Sequence, residues 1–124
     1  MLLVDDHAAI LDRAAKVLGA DCTIVGAVGD GQSALDAVAM LHPDVIVLDI
    51  TMPGMSGLEV ATRLRDEQPP LAIVFLSVHK DEEWVQAAKA TGAIGYVFKS
   101  RLALDLAEAV AEAFAGRAFA SPTL

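Results

Sequence analysis

The chain has 124 residues, of which 55% are hydrophobic, with a formal net charge of −8 and a single cysteine. That length suits one domain, large enough to bury about two thirds of its unfolded surface. One cysteine excludes an internal disulfide and argues against a cysteine-based metal site. No apolar run approaches the roughly 20 residues of a membrane helix, and the opening MLLVDDHAAI lacks the basic region of a signal peptide. Acids in excess and no stripe of Lys or Arg argue against direct nucleic-acid binding. These features predict a soluble cytoplasmic protein.

In chain order, Leu2–Val4 is a strand-like run that leads into Asp5-Asp6. Ala8–Leu18 has a helical pattern, with Ile10, Ala14 and Val17 on one face. Cys22 reads as a small hydrophobe at the start of a second run, Thr23–Val28, which leads into Gly29-Asp30-Gly31. Gln32–Leu41 is helical with Leu35 and Val38 inward, and His42 reads as a helix-end residue before Pro43. Val45–Leu48 is the most apolar run and ends in Asp49. The loop after it holds Pro53, Gly54 and Gly57, so its backbone can turn tightly and present carbonyls.

Ser56 predicts an N-cap for a helix over Gly57–Glu67, with Glu59 in the capping-box position. Pro69-Pro70 falls in a connection, and Ala72–Leu76 ends in Ser77. Asp81–Thr91 opens with three acids, where the helix dipole favours them, and Gly92 supplies a C-cap. Ile94–Phe98 ends in Lys99. Leu102–Phe114 carries Asp105, Glu108 and Glu112 on an outer stripe. The tail from Gly116 to Leu124 is weakly patterned, and its Ser121-Pro122 reads as the start of a linker.

Continuous apolar runs that alternate with helices predict an α/β domain of five βα units, with parallel strands and right-handed crossovers. Polar residues at the ends of the runs then gather on one sheet edge, where ligands bind in open α/β sheets. Taken alone, Asp5-Asp6 reads as a solvated turn or helix cap. Adjacent carboxylates otherwise require a cation, and a hard divalent ion such as Mg²⁺ fits best. Asp49 is costly to desolvate at the end of an apolar strand without a partner, and it reads as a nucleophile that forms an acyl phosphate. Ser77 alone would bond local backbone, and Lys99 alone would be a surface lysine with a buried stem. One phosphoryl site explains all five residues together. His7 and His79 lie near this edge without a visible orienting partner and read as flanking loop residues. Trp84 reads equally as a half-exposed interface anchor or as a rim residue of the core.

The segments LLVDDH, DGQSALDAV, PDVIVLDITMPGMSGLEV, IVFLSVHKDEE and GAIGYVFKS occur in that order. Together they resemble the receiver domain of two-component response regulators across essentially the whole chain. DDH, LSVHKDEE and Lys99-Ser100 resemble the NarL/FixJ-type subfamily, which carries a helix-turn-helix output domain. The resemblance implies a (βα)5 flavodoxin-like (CheY-like) doubly wound parallel sheet with strand order 2-1-3-4-5. It implies a receiver domain over 1–116, with 117–124 as a tail or the start of a linker to an output domain. Asp49 matches the phosphoacceptor. Asp5, Asp6, Asp49 and the backbone carbonyl of Thr51 match the Mg²⁺ ligands. Ser77 and Lys99 match the phosphate-contacting switch hydroxyl and lysine, and Tyr96 matches the aromatic that enters the space the hydroxyl leaves. Val78, His79 and His7 flank this site, the first two placed to tune water access. Many receivers carry proline directly after the lysine, whereas Ser100 stands there in this chain.

The resemblance further implies a signalling switch rather than an enzyme, one that assists its own phosphotransfer and slow autodephosphorylation. A sensor histidine kinase is the implied donor. Homodimers would form through the face of the fourth helix, fifth strand and fifth helix, or through helices 1 and 5. DNA would be contacted only through an output domain, and no membrane is implied. A haloacid-dehalogenase-type phosphatase uses similar residues, but its nucleophile ends the first strand and its metal acids come last. A flavodoxin-like mononucleotide binder would need a phosphate-cradling loop after the first strand, where Asp5-Asp6 repels phosphate.

Overall fold

The computed structural model describes residues 1–66 and 70–122. Glu67, the expected end of the third helix, Pro69 and the last two residues lie outside the described residues. The elements run β1 (Leu2–Val4), α1 (Ala8–Leu18), β2 (Gly26–Val28), α2 (Gly31–Leu41), β3 (Val45–Leu48), α3 (Gly57–Leu64), β4 (Ala72–Ser77), α4 (Glu82–Ala90), β5 (Gly95–Phe98), α5 (Leu102–Phe114) and β6 (Phe119–Ala120). Short 3₁₀ turns cover Gly19–Asp21 and Lys99–Arg101.

The strands pair in parallel in the order β2-β1-β3-β4-β5-β6. Side chains alternate across the sheet. Leu2, Val4, Ile46, Leu48, Phe75, Tyr96 and Phe98 join one core with Ala34, Val38, Val60 and Val85 from α2, α3 and α4. Leu3, Val45, Val47, Val74, Leu76 and Val97 join the other with Ala14 and Leu18 of α1 and Leu102, Leu106 and Val110 of α5. Helices on both faces explain why β1, β3 and β5 read as unbroken apolar runs. Among the described residues, no helix is long and apolar enough to cross a membrane.

The expected strand order holds, with one strand added. Residues 117–124 had no strand pattern, yet Phe119 and Ala120 pair with Gly95 and Tyr96 of β5. The second strand is shorter than Thr23–Val28 because its single neighbour, β1, has three residues to pair with. Ser56 caps α3 by accepting from the Glu59 backbone N–H at 3.2 Å. The Glu59 carboxylate turns instead to Arg63, so the reciprocal bond of the capping box is not made. His7, not Asp6, stands at the N-cap of α1, and its side chain makes no capping bond. Asp105 is buried rather than on the outer stripe of α5.

Register carries the polar residues to one edge. Val4 pairs with Leu48, so Asp5 and Asp49 leave the sheet side by side. Their N–H groups extend the ladder to the Val28 and Val4 carbonyls, at 3.1 and 3.0 Å. Ser77 pairs with Phe98 across β4 and β5, and Lys99 follows directly. The loop after Asp49 folds back on itself, with the Gly57 N–H donating to the Ile50 carbonyl at 2.7 Å. A Cβ on Gly57 would lie 1.9 Å from the Asp49 carbonyl oxygen, so only glycine fits there. Gly57→Ala is expected to cost about 1–3 kcal/mol of folding stability by forcing these backbones apart, as measured by chemical denaturation.

Candidate functional site

The edge is built around two buried carboxylates. Asp5 is 2% exposed and Asp49 is 3% exposed. The Lys99 ammonium lies 2.8 Å from Asp5 Oδ2 and 3.2 Å from Asp49 Oδ2. The Thr51 N–H donates to Asp49 Oδ1 at 3.3 Å. The His7 N–H donates to Asp5 Oδ1 at 2.9 Å, and His7 Nδ1 lies 3.2 Å from both Asp5 Oδ1 and Asp6 Oδ1. His7 therefore has acidic partners that the sequence pattern did not disclose.

Burial pushes the Asp49 carboxyl above the ordinary carboxylate range, and the neighbouring Asp5 charge adds to this. Lys99 and the Thr51 N–H oppose the rise without cancelling it. Burial draws the Lys99 ammonium down, but Asp5 and Asp49 outweigh that and hold it above the usual lysine value. Two acids and one ammonium leave an excess of negative charge in a poorly hydrated place. Asp5, Asp6, His7 and Asp49 each offer a ligand atom, all within 4.8 Å of one another. Asp5 Oδ2 is buried and accepts no hydrogen bond, since Lys99 meets it as an ion pair only. Hard carboxylate oxygens, one of them lacking a donor, suit a small divalent cation.

Ser77 is fully buried at the end of β4 and touches none of these groups through a hydrogen bond. Its hydroxyl accepts from the His79 N–H at 3.0 Å. The Tyr96 hydroxyl donates to the His79 carbonyl at 2.7 Å, and burial holds the phenol above its ordinary pKa. The sequence reading has Tyr96 entering space that Ser77 vacates, whereas the ring is already 3% exposed here. The His79 ring lies 2.8 Å through Nε2 from Thr51 Oγ1 and stacks on Trp84 at 3.9 Å. Trp84 also packs on the first core, so it is a rim residue with a functional neighbour. Val78 is 61% exposed beside this group. No local pattern marks the His79–Thr51 pair, whose members are 28 residues apart.

The folded state binds the Asp49 proton more tightly than the unfolded chain does. Asp49 ionisation therefore lowers stability as pH rises from the ordinary carboxylate range through the raised value. Asp49→Asn in EDTA is expected to raise the melting temperature by about 2–5 °C near neutral pH. The gain should shrink as the pH is lowered toward about 5, which thermal melts at the two pH values check.

A family profile described as the response regulator receiver domain matches residues 1–111. The nitrate/nitrite response regulator protein NarL of Escherichia coli is 36% identical over 100% of this chain and 58% of its own length. The transcriptional regulatory protein DegU of Brevibacillus brevis is 33% identical over 98% of this chain and 52% of its own. The chain thus spans little more than half of these relatives. A solved LuxR-family two-component response regulator from Aurantimonas superposes with a TM-score of 0.90 at 28% identity, covering 98% of this chain and 88% of that one. With this fold, this edge and these likenesses, the chain belongs to the response regulator receiver domain family of two-component systems, among its NarL/LuxR-type members.

Proposed function

We propose that this protein is a phosphorylation-dependent switch in which Asp49 accepts a phosphoryl group from the phosphohistidine of a sensor histidine kinase. The observation that carries this reading is the buried Asp49 carboxylate, 3.2 Å from Lys99 and beside Asp5, at the ligand-binding edge of the sheet. A carboxylate oxygen attacks phosphorus in line as the bond to the histidine nitrogen breaks, and the electron pair of that bond stays on the leaving imidazole. Asp5, Asp6, Asp49 and the backbone carbonyl of Thr51 would hold Mg²⁺. When bound, the ion neutralises charge on the acids and the phosphoryl oxygens together. Lys99 keeps one positive charge on the same oxygens.

The added phosphoryl group brings about −1.5 to −2 charges. It draws the Ser77 hydroxyl inward, away from the His79 N–H that the hydroxyl now holds. His79 also holds Tyr96 through its carbonyl, so its loop passes the change to α4, β5 and α5. Only a difference in phosphoryl affinity between two states is needed. The output is transcription, through a helix-turn-helix domain outside this chain. Residues 1–116 carry the switch, and 117–124 lead toward that domain. The setting is cytoplasmic. Homodimerisation would use the α4–β5–α5 face or α1 and α5.

Acetyl phosphate with Mg²⁺ is expected to add one phosphoryl group to the protein, read by intact mass. Asp49→Asn should add none, and persistence of the added mass in that variant overturns the assignment. The His79 ring, held between Thr51 and Trp84, limits the approach of water to the acyl phosphate. His79→Ala is expected to shorten the acyl-phosphate lifetime about tenfold, a loss of roughly 1.4 kcal/mol of barrier, timed by decay of the added mass. The exposed Val78 should act in the same sense when replaced, and unchanged lifetimes in both variants would refute the role.

A further inference from the structure

Lys99 can meet both Asp5 and Asp49 only if the backbone on either side of it is held. The chain beyond it begins with Ser100, which imposes no rigid ring, and α5 starts at Arg101 without a side-chain cap. On the near side, the last amide of β5 belongs to Phe98. Its N–H donates to Ser121 Oγ at 3.1 Å, not to a sheet carbonyl. The Ser121 hydroxyl in turn donates to Asp105 Oδ2 at 2.7 Å. On the far side, Arg101 grips the same carboxylate, with Nε 2.7 Å from Oδ2 and Nη2 3.3 Å from Oδ1. The Ser121 N–H closes the arrangement on the Tyr96 carbonyl at 2.8 Å.

Ser121 and Asp105 are 5% and 6% exposed, so these bonds are little contested by water. The arginine and the serine hydroxyl hold the Asp105 carboxyl below the ordinary carboxylate range. The residues before and after the 3₁₀ turn that starts at Lys99 are therefore tied to one buried carboxylate. One tie is direct, and the other runs through a serine from the segment that follows α5.

We propose that Ser121, acting with Asp105, is a positioning residue for Lys99, fixing the backbone on both sides of the lysine so that its ammonium lies between Asp5 and Asp49. The inference rests on the reading of this edge as the phosphoryl-accepting site. Ser121 touches no reacting atom. Its contribution passes through the Phe98 amide and the Lys99–Arg101 turn. By reciprocity, a phosphoryl group that binds Lys99 must tighten the Ser121 clasp by the same factor.

The test uses the full chain with beryllofluoride as the phosphoryl stand-in and Mg²⁺ alone as the reference, both read from the fluorescence of Trp84, the single tryptophan. Ser121→Ala is expected to weaken beryllofluoride binding about tenfold while Mg²⁺ affinity changes by less than about twofold, because the acids are untouched. Ser121→Thr, which keeps the hydroxyl, should restore binding. In a Lys99→Ala background, Ser121→Ala should make no further difference. In the wild type, beryllofluoride should slow hydrogen exchange at the Phe98 and Ser121 amides.

Should Ser121→Ala not fold, Asp105→Asn, which loses the charge that Arg101 holds, is expected to give the same split. Equal losses for Mg²⁺ and beryllofluoride, the same loss with and without Lys99, or no loss at all would overturn the proposal. A wild-type protein that binds Mg²⁺ but neither beryllofluoride nor a phosphoryl group from acetyl phosphate would instead overturn the reading of the site.

Discussion

The structure turns on the ion pairing of Lys99 with Asp5 and Asp49. Two buried carboxylates at one edge repel each other, and each loses hydration that the protein must replace. The lysine supplies part of that replacement from the opposite end of the sheet. Its pairing is geometrically possible because β1, β3, β4 and β5 are parallel and end at the same edge. One ammonium against two acids leaves a deficit of positive charge, and that deficit makes the edge a place for a cation and then for a phosphoryl group.

The surroundings are arranged to keep that pairing in register. Gly57 lets the loop after Asp49 close onto the backbone of Asp49 itself. Ser77 and Tyr96 do not contact each other through a printed hydrogen bond; each holds one end of the His79 peptide unit. His79 also reaches Thr51 and Trp84 with its ring. One residue of the β4–α4 loop thereby joins the acid site, the switch hydroxyl, the aromatic and the start of α4. A change at Asp49 need displace only this residue to be felt on the outer face.

The sixth strand alters the character of the β5 edge. In the five-stranded arrangement, β5 would present unpaired backbone groups, a liability that sheets usually cover. Here Phe119 and Ala120 cover part of it, and Ser121 carries the chain into the core beside Asp105. The face made by α4, β5 and α5 therefore includes a segment of chain from beyond α5.

Much was legible in the sequence because it was local. Apolar runs, helical periodicity, the Ser56 cap and the glycines place β1, α1, β3, α3, β5 and α5 within a few residues of their observed limits. The polar residue at the end of each run is also local, and parallel topology then brings Asp5, Asp49 and Lys99 together. Asp105 was misjudged as outward because periodicity assigns a face without showing what packs there. Its burial depends on Arg101 one turn earlier, a visible i,i+4 pair, and on Ser121, 16 residues later. The partners of His7 and His79, the sixth strand and the Ser121 clasp all arise from contacts between segments that no local pattern relates. The sequence alone determined the alternation of elements and the chemistry at the strand ends, because both are written in neighbouring residues. Only the tertiary structure decided which buried charges meet and what holds Lys99 in place, because those depend on long-range pairing and on which groups lose water together.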